Sequence, residues 1–153
     1  MHRRDFLKSA ALAPLAATAA PAGTFPMGYN TYCLRALRWT DQQHFEYADS
    51  LKLDALFLQD SLDPKAMDPA HWVEVKAWAA DRKMHLESGG GGILPKDDAG
   101  FNDSVATLRK NIERAKALGS PLVRSVIASE RSALPPGPPE KHLATVLKMF
   151  KAV

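Results

Sequence analysis

The chain is predicted to fold as an α/β protein built on a parallel sheet, and three observations predict it. Four short strand-like runs, centred near residues 29, 57, 86 and 124, alternate with helix-like stretches. Between the third and fourth runs, Val105, Leu108, Ile112, Ala115 and Leu118 recur at helical spacing. Strand then helix, repeated, indicates a parallel sheet, because each parallel strand needs a crossover to return beside its neighbour. Crossovers are right-handed by default, so the helices cover one side of the sheet or alternate between two. Periodicity leaves a barrel segment and an open doubly wound sheet as alternatives.

The first run is Met27-Gly28-Tyr29-Asn30-Thr31-Tyr32. Helix one is expected over 41–51, opened by Thr40 with Gln43 three residues on, a capping-box pattern. The second run, Ala55 to Gln59, ends at Asp60. Helix two starts at Asp68-Pro69, a cap followed by proline at the first helical position, and carries Trp72, Val75 and Ala79 on one face. The third run is Met84-His85-Leu86-Glu87, after which Ser88 and Gly89–Gly92 read as a flexible strand-to-helix turn. Asn102-Asp103-Ser104 reads as the cap of helix three, whose Arg109, Lys110, Glu113 and Arg114 fall mostly on its other faces, and Gly119 is its stop. The fourth run is Pro121 to Ile127. A proline-rich connection, Leu134 to Pro139, leads into a last helix from about Glu140, with Leu143, Val146, Leu147 and Phe150 as its apolar positions.

Residues 1–22 have a different character. Arg3 and Arg4 stand together in His2-Arg3-Arg4-Asp5-Phe6-Leu7-Lys8, then an Ala/Leu-rich stretch runs from Ser9 to Ala20. Small residues follow in two A-x-A patterns, Ala17-Thr18-Ala19 and Ala20-Pro21-Ala22. A basic start, a modest apolar stretch and a small-residue exit form the layout of a removable signal. The apolar stretch falls short of the about 20 residues a spanning helix needs. The paired arginines before Phe-Leu-Lys resemble the twin-arginine class. The expected organisation is therefore a signal peptide over 1–22 and one domain over 23–153, placed in the periplasm or secreted, with no stable membrane anchor after cleavage. Arg3 and Arg4 are the contacts to the export machinery.

Charge follows the same division. Residues 1–22 hold Arg3, Arg4 and Lys8 against Asp5, so without them the net charge falls from +3 to +1. The remaining domain has little electrostatic reason to bind nucleic acid or an acidic membrane. Cys33 is the single cysteine, which excludes an intramolecular disulfide and a cysteine zinc site. A lone cysteine after a strand reads as a small buried hydrophobe.

Three stretches carry a resemblance. Gly28-Tyr29-Asn30-Thr31-Tyr32, the run Leu53 to Asp60, and His85-Leu86-Glu87-Ser88-Gly89-Gly90 resemble the sugar-phosphate isomerase/epimerase family of xylose-isomerase-like TIM barrels, whose relatives include endonuclease-type barrels. Thr107 to Ala115, before Gly119-Ser120-Pro121, is similar to the helix that precedes the family's fourth strand. The resemblance implies the first four βα units of a (β/α)8 barrel, incomplete, since a whole barrel has eight strands and about 250 residues. It also implies a divalent metal (Mn, Mg or Zn) held by Glu, Asp and His, mostly on later strands, with no metal ligand assignable to residues here. A half barrel leaves its first and fourth strands as open edges. Either two copies complement each other or the chain is marginally stable, and the second is expected.

In such barrels chemistry sits at the C-terminal ends of the strands. That rule selects Asn30, Tyr32 and Arg35, then Gln59 and Asp60, then Glu87, Ser88 and the glycines, then Ser129, Glu130 and Arg131. Glu87 is the expected catalytic residue: a carboxylate near the mouth can act as a general base on a carbon beside a carbonyl. Its bland alternative is an ion pair with Arg124 on the neighbouring strand, and the two are compatible. His85 shares its strand face and reads as a hydrogen-bonded core histidine. Asn30, Tyr32, Gln59, Asp60 and Arg124 are the expected substrate-binding residues, with Asp60 alternatively opening the turn before Leu62-Asp63-Pro64. The implied function is that of a sugar isomerase or epimerase, metal-assisted proton transfer beside the carbonyl of a small carbohydrate, with this truncated chain itself expected to be inactive. Export argues for free or keto sugars over phosphorylated ones. The alternatives are a non-catalytic fragment or sugar-binding module, and a metal-dependent nuclease, against which the near-neutral charge speaks.

Overall fold

A computed structural model describes residues 26–128 and 134–153. The signal segment with Arg3 and Arg4, and Ser129, Glu130 and Arg131, lie outside the described residues. The chain forms β1 (Gly28–Asn30), a 3-10 helix (Thr31–Leu37), α1 (Asp41–Ser50), β2 (Ala55–Gln59) and α2 (Pro69–Arg82). It continues with β3 (His85–Gly92), α3 (Phe101–Leu118), β4 (Val123–Val126) and α4 (Pro139–Ala152). The sheet order is β1-β2-β3-β4, and every neighbouring pair is parallel. The fold is α/β with alternating βα units, as expected. No helix among the described residues is long and apolar enough to cross a membrane.

Local chemistry accounts for most element ends. The Thr40 side chain accepts from the Gln43 backbone while the Gln43 side chain accepts from the Thr40 backbone, so the capping box opens α1. Asp68 caps α2 by accepting from Ala70, with Pro69 at the first position. Gly119 ends α3 at a φ of 78°, a left-handed conformation that costs glycine little.

One apolar layer joins the sheet to its helices. Leu56, Leu58 and Leu86 project from one face into a core with Phe45 and Ala48 of α1, Trp72, Val75 and Ala79 of α2, and Leu118 of α3. Each leucine, valine or phenylalanine among them, fully buried, contributes about 1.5–3 kcal/mol. Val146 and Met149 of α4 complete a second cluster with Ile93, Val105 and Leu108. By strand alternation the opposite face carries Asn30, Phe57, Gln59 and Glu87.

Several expectations are corrected. β1 stops at Asn30, because the Asn30 side chain accepts from the Tyr32 backbone and turns the chain into the 3-10 helix. Cys33 lies on that helix and is exposed, not buried. The glycines do not form a turn: β3 runs through Gly92 and pairs with β4, with an irregularity between Gly89 and Gly92. α3 starts earlier than expected, with Gly100 at its cap and Asn102 to Ser104 inside its first turn. Its buried stripe takes in Asn111 and Arg114, while Ile112 is exposed. His85, expected in the core, is exposed. On α4, Leu143, Leu147 and Phe150 are exposed, and Met149 joins Val146 inside.

Candidate functional site

The parallel sheet brings the C-terminal ends of four strands to one edge. A cavity of about 200 Å³ opens there, lined by Tyr32, Gln59, Ser61, Gly90, Gly91 and Arg124, with Val126 and Ala128 beside them. Sheet register builds it in rows. Gln59 pairs with Gly89, which pairs with Arg124, so one row crosses three strands at the rim. One row deeper, Asn30 pairs with Phe57 and Phe57 with Glu87.

Each polar group in the upper row is held. Gln59 is buried; its backbone N–H donates to the Thr31 hydroxyl at 3.2 Å and its side-chain amide to Asn30 Oδ1 at 3.5 Å. The Arg124 guanidinium sits over the Phe57 ring, 5.6 Å from its centroid, and Arg35 stands over Tyr32 at 4.3 Å. Gly89 makes the first stack fit, because a Cβ there would stand 2.5 Å from both the Phe57 ring and the Arg124 carbonyl oxygen. A carboxamide, a phenol and a guanidinium around a small cavity can hydrogen-bond hydroxyl and carbonyl oxygens from several sides.

Of the residues expected to bind substrate, Tyr32, Gln59 and Arg124 therefore come together. Asn30 stands behind them and orients Gln59. Asp60 does not line the cavity: its carboxylate accepts from the Asn111 amide of α3 at 3.0 Å, on the helix side of the sheet. Gly90 leaves the space that Asp60 and Asn111 occupy. Glu87 is half-buried, one row below the cavity lining. The ion pair between Glu87 and Arg124 is not formed among the described residues, since Arg124 lies beside Gly89 in register and reaches to Phe57.

The helix side carries a polar layer that periodicity missed. Arg114 is 1% exposed; it donates to the Leu58 carbonyl at 3.3 Å, the Ser88 hydroxyl at 3.1 Å and the Gln59 carbonyl at 3.4 Å. Burial pulls its guanidinium below the usual range, and the charges of Asp41, Asp60 and Asp63 oppose that. Beside it, His71 Nε2 lies 3.2 Å from Asp41 Oδ2 and 3.9 Å from Asp63 Oδ2, and His71 Nδ1 lies 3.1 Å from Glu74 Oε2. Asp63 is fixed by two backbone donors, Asp41 N at 2.8 Å and Lys65 N at 2.7 Å. Burial raises the Asp41 carboxyl above its ordinary range, with Arg114 pulling the other way. His71 lies on the same face of α2 as Val75 and Ala79, four and eight residues on, and that spacing was the available signal.

The divalent metal that the resemblance implies does not fit the cavity at the strand ends. Its lining among the described residues offers no carboxylate or imidazole, and it holds the cation Arg124. Among the described residues, the acidic and imidazole groups that converge closely enough to hold an ion are Asp41, Asp63 and His71, in the helix layer. Compared with models of known protein families and with curated proteins, the chain matches none.

Proposed function

We propose that this chain supplies the first four βα units of a xylose-isomerase-like barrel, exported by the twin-arginine route, whose mouth takes a free or keto sugar. The sheet order supports a barrel over a doubly wound sheet. Strands follow in sequence with no reversal, and α1, α2 and α3 share a core with a single sheet face. The observation that carries the sugar reading is the convergence of Tyr32, Gln59 and Arg124 on one small cavity at the strand ends. Its volume of about 200 Å³ is below the roughly 300–1,000 Å³ of sites for drug-sized ligands, which suits one monosaccharide unit.

In this reading Gln59 and Tyr32 take sugar hydroxyls, Arg124 takes the carbonyl oxygen, and Asn30 orients Gln59. Glu87 moves a proton on the carbon beside the carbonyl. A sugar-binding module without catalysis is the second reading, favoured by the position of Glu87 one row below the cavity. Titration calorimetry with xylose, glucose and fructose, together with an isomerisation assay, tests both. Binding that Gln59→Ala and Arg124→Ala each weaken about 10-fold supports the site. Turnover that Glu87→Gln abolishes, with binding and melting temperature kept, selects the enzyme. Binding without turnover selects the module, and no binding of any of the three sugars overturns the reading.

A further inference from the structure

The Asp41, Asp63 and His71 cluster contains an electrostatic conflict that a cation resolves. All three side chains are buried. The imidazole meets carboxylate oxygens at both nitrogens, Glu74 at Nδ1 and Asp41 and Asp63 at Nε2. A neutral imidazole has one N–H, and ionised carboxylates only accept. One ring nitrogen therefore sets lone pair against lone pair unless a second proton or a metal ion lies between. Charge points the same way. Asp41, Asp60 and Asp63 place three carboxylates around one buried guanidinium, that of Arg114, and unbalanced buried charge is costly.

We propose that Asp41 Oδ2, Asp63 Oδ2 and His71 Nε2 form a divalent transition-metal site of the zinc class, tying together the start of α1, the β2–α2 connection and α2. One ligand atom from each of the three residues lies within 4.8 Å of the others. Donors on a tetrahedral ion at about 2.0–2.2 Å stand about 3.3–3.6 Å apart, so the 3.2 and 3.9 Å separations from Nε2 need only small adjustments. Glu74 supplies the carboxylate that orients a metal-binding histidine through its other nitrogen. A separate cavity of about 390 Å³, lined in part by Thr40, Gln42, Asp63, His71 and Glu74, gives an entry path and room for water as the fourth ligand. An imidazole beside two carboxylates selects zinc-like ions over magnesium or calcium, which take oxygen donors. This site lies on the helix side of the sheet and does not depend on the sugar reading.

The test uses the full chain without an affinity tag, stripped with a chelator and titrated with Zn²⁺ and separately with Mg²⁺. The expected result is one Zn²⁺ per chain, a higher melting temperature on loading, and no comparable Mg²⁺ binding. Glu74→Gln alters an exposed carboxylate, so it keeps the fold and weakens Zn²⁺ binding about 10- to 100-fold. His71→Gln abolishes binding, and Cys33→Ser leaves it unchanged. If His71→Gln does not fold, Co²⁺ loaded into the unaltered chain decides, with visible ligand-field absorption expected that Cys33→Ser keeps and Glu74→Gln weakens. Absence of saturable Zn²⁺ binding overturns the proposal and leaves a second proton within the cluster to resolve the conflict. Binding that survives Glu74→Gln unchanged, or that vanishes in Cys33→Ser, overturns it as well.

Discussion

Arg114 on α3 donates from Nη1 to the Ser88 hydroxyl on β3 across 3.1 Å, and its side chain is almost wholly buried. The same guanidinium reaches the carbonyls of Leu58 and Gln59 at the end of β2, so one residue couples α3 to the two central strands. Arg114→Met removes the donors and strands nearby carboxylates without their cation. It is expected to cost about 3–5 kcal/mol in denaturant unfolding. Ile112→Ser, two residues away but exposed, is expected to stay within about 0.5 kcal/mol. Equal losses at the two positions contradict the assignment of the buried face.

Gly89 lies in register between Gln59 of β2 and Arg124 of β4 at the rim. In Gly89→Ala the new methyl meets the Phe57 ring and the Arg124 backbone, at 2.5 Å before any adjustment. Destabilisation of about 1–3 kcal/mol is expected, read as a lower denaturant midpoint. Gly91→Ala is the control, since a Cβ there meets nothing within 4 Å. A Gly89→Ala midpoint as high as that of Gly91→Ala contradicts the packed row.

Tyr29 donates its hydroxyl toward His44, with the oxygen 2.9 Å from Nδ1 and 3.2 Å from the His44 carbonyl. Burial, and secondarily Tyr47, push its phenol from 10.0 up to about 12. The unfolded chain then loses this proton before the folded chain does. The Tyr29 contribution to stability is complete below pH 10 and is lost as pH rises from 10 through about 12. The difference between the tyrosinate absorbance titrations of the unaltered chain and Tyr29→Phe isolates this phenol. A midpoint near 12 is expected, and one at 10.0 contradicts the half-buried placement.

The proposed export route assigns recognition to Arg3 and Arg4. Replacing both with lysine keeps the charge and removes the twin-arginine pair. Fractionation of a bacterial host is expected to show the chain outside the cytoplasm for the native sequence, and retention of the precursor for the double variant. Unchanged export of the variant assigns the segment to another route.

Helix ends were legible because their chemistry is local. Thr40 with Gln43, Asp68 with Pro69, and Gly119 each satisfy or release backbone groups within a few residues, and each sits where its pattern placed it. The α/β class was legible for a related reason, since the spacing of the four runs reflects crossovers. Positions decided across the sheet were not. Gly89–Gly92 read as a turn because glycine weakens an isolated strand, yet here pairing with β4 and the approach of Phe57 and Asp60 favour it. Arg114 and Ile112 were exchanged for a similar reason. Periodicity ranks side chains by polarity, whereas Ser88 and two β2 carbonyls, far away in sequence, supply the partners that bury the arginine. Of the mouth residues, Tyr32 and Gln59 followed from strand ends alone, whereas Arg124 was singled out as a partner for Glu87 and stacks on Phe57 instead. The place of Asp60 did not follow, because its partner Asn111 lies 51 residues away.

Amide chemical shifts of the isotopically labelled chain test sugar recognition at the strand ends most directly. On titration with xylose, glucose and fructose, the side-chain amide of Gln59 and the backbone amides of Gly90 and Gly91 are expected to move together and saturate with one of them. The same titration of Arg124→Ala is expected to need about 10-fold more sugar. Shifts confined to other parts of the chain, or no shift with any of the three sugars, contradict the assignment of this edge as a carbohydrate site.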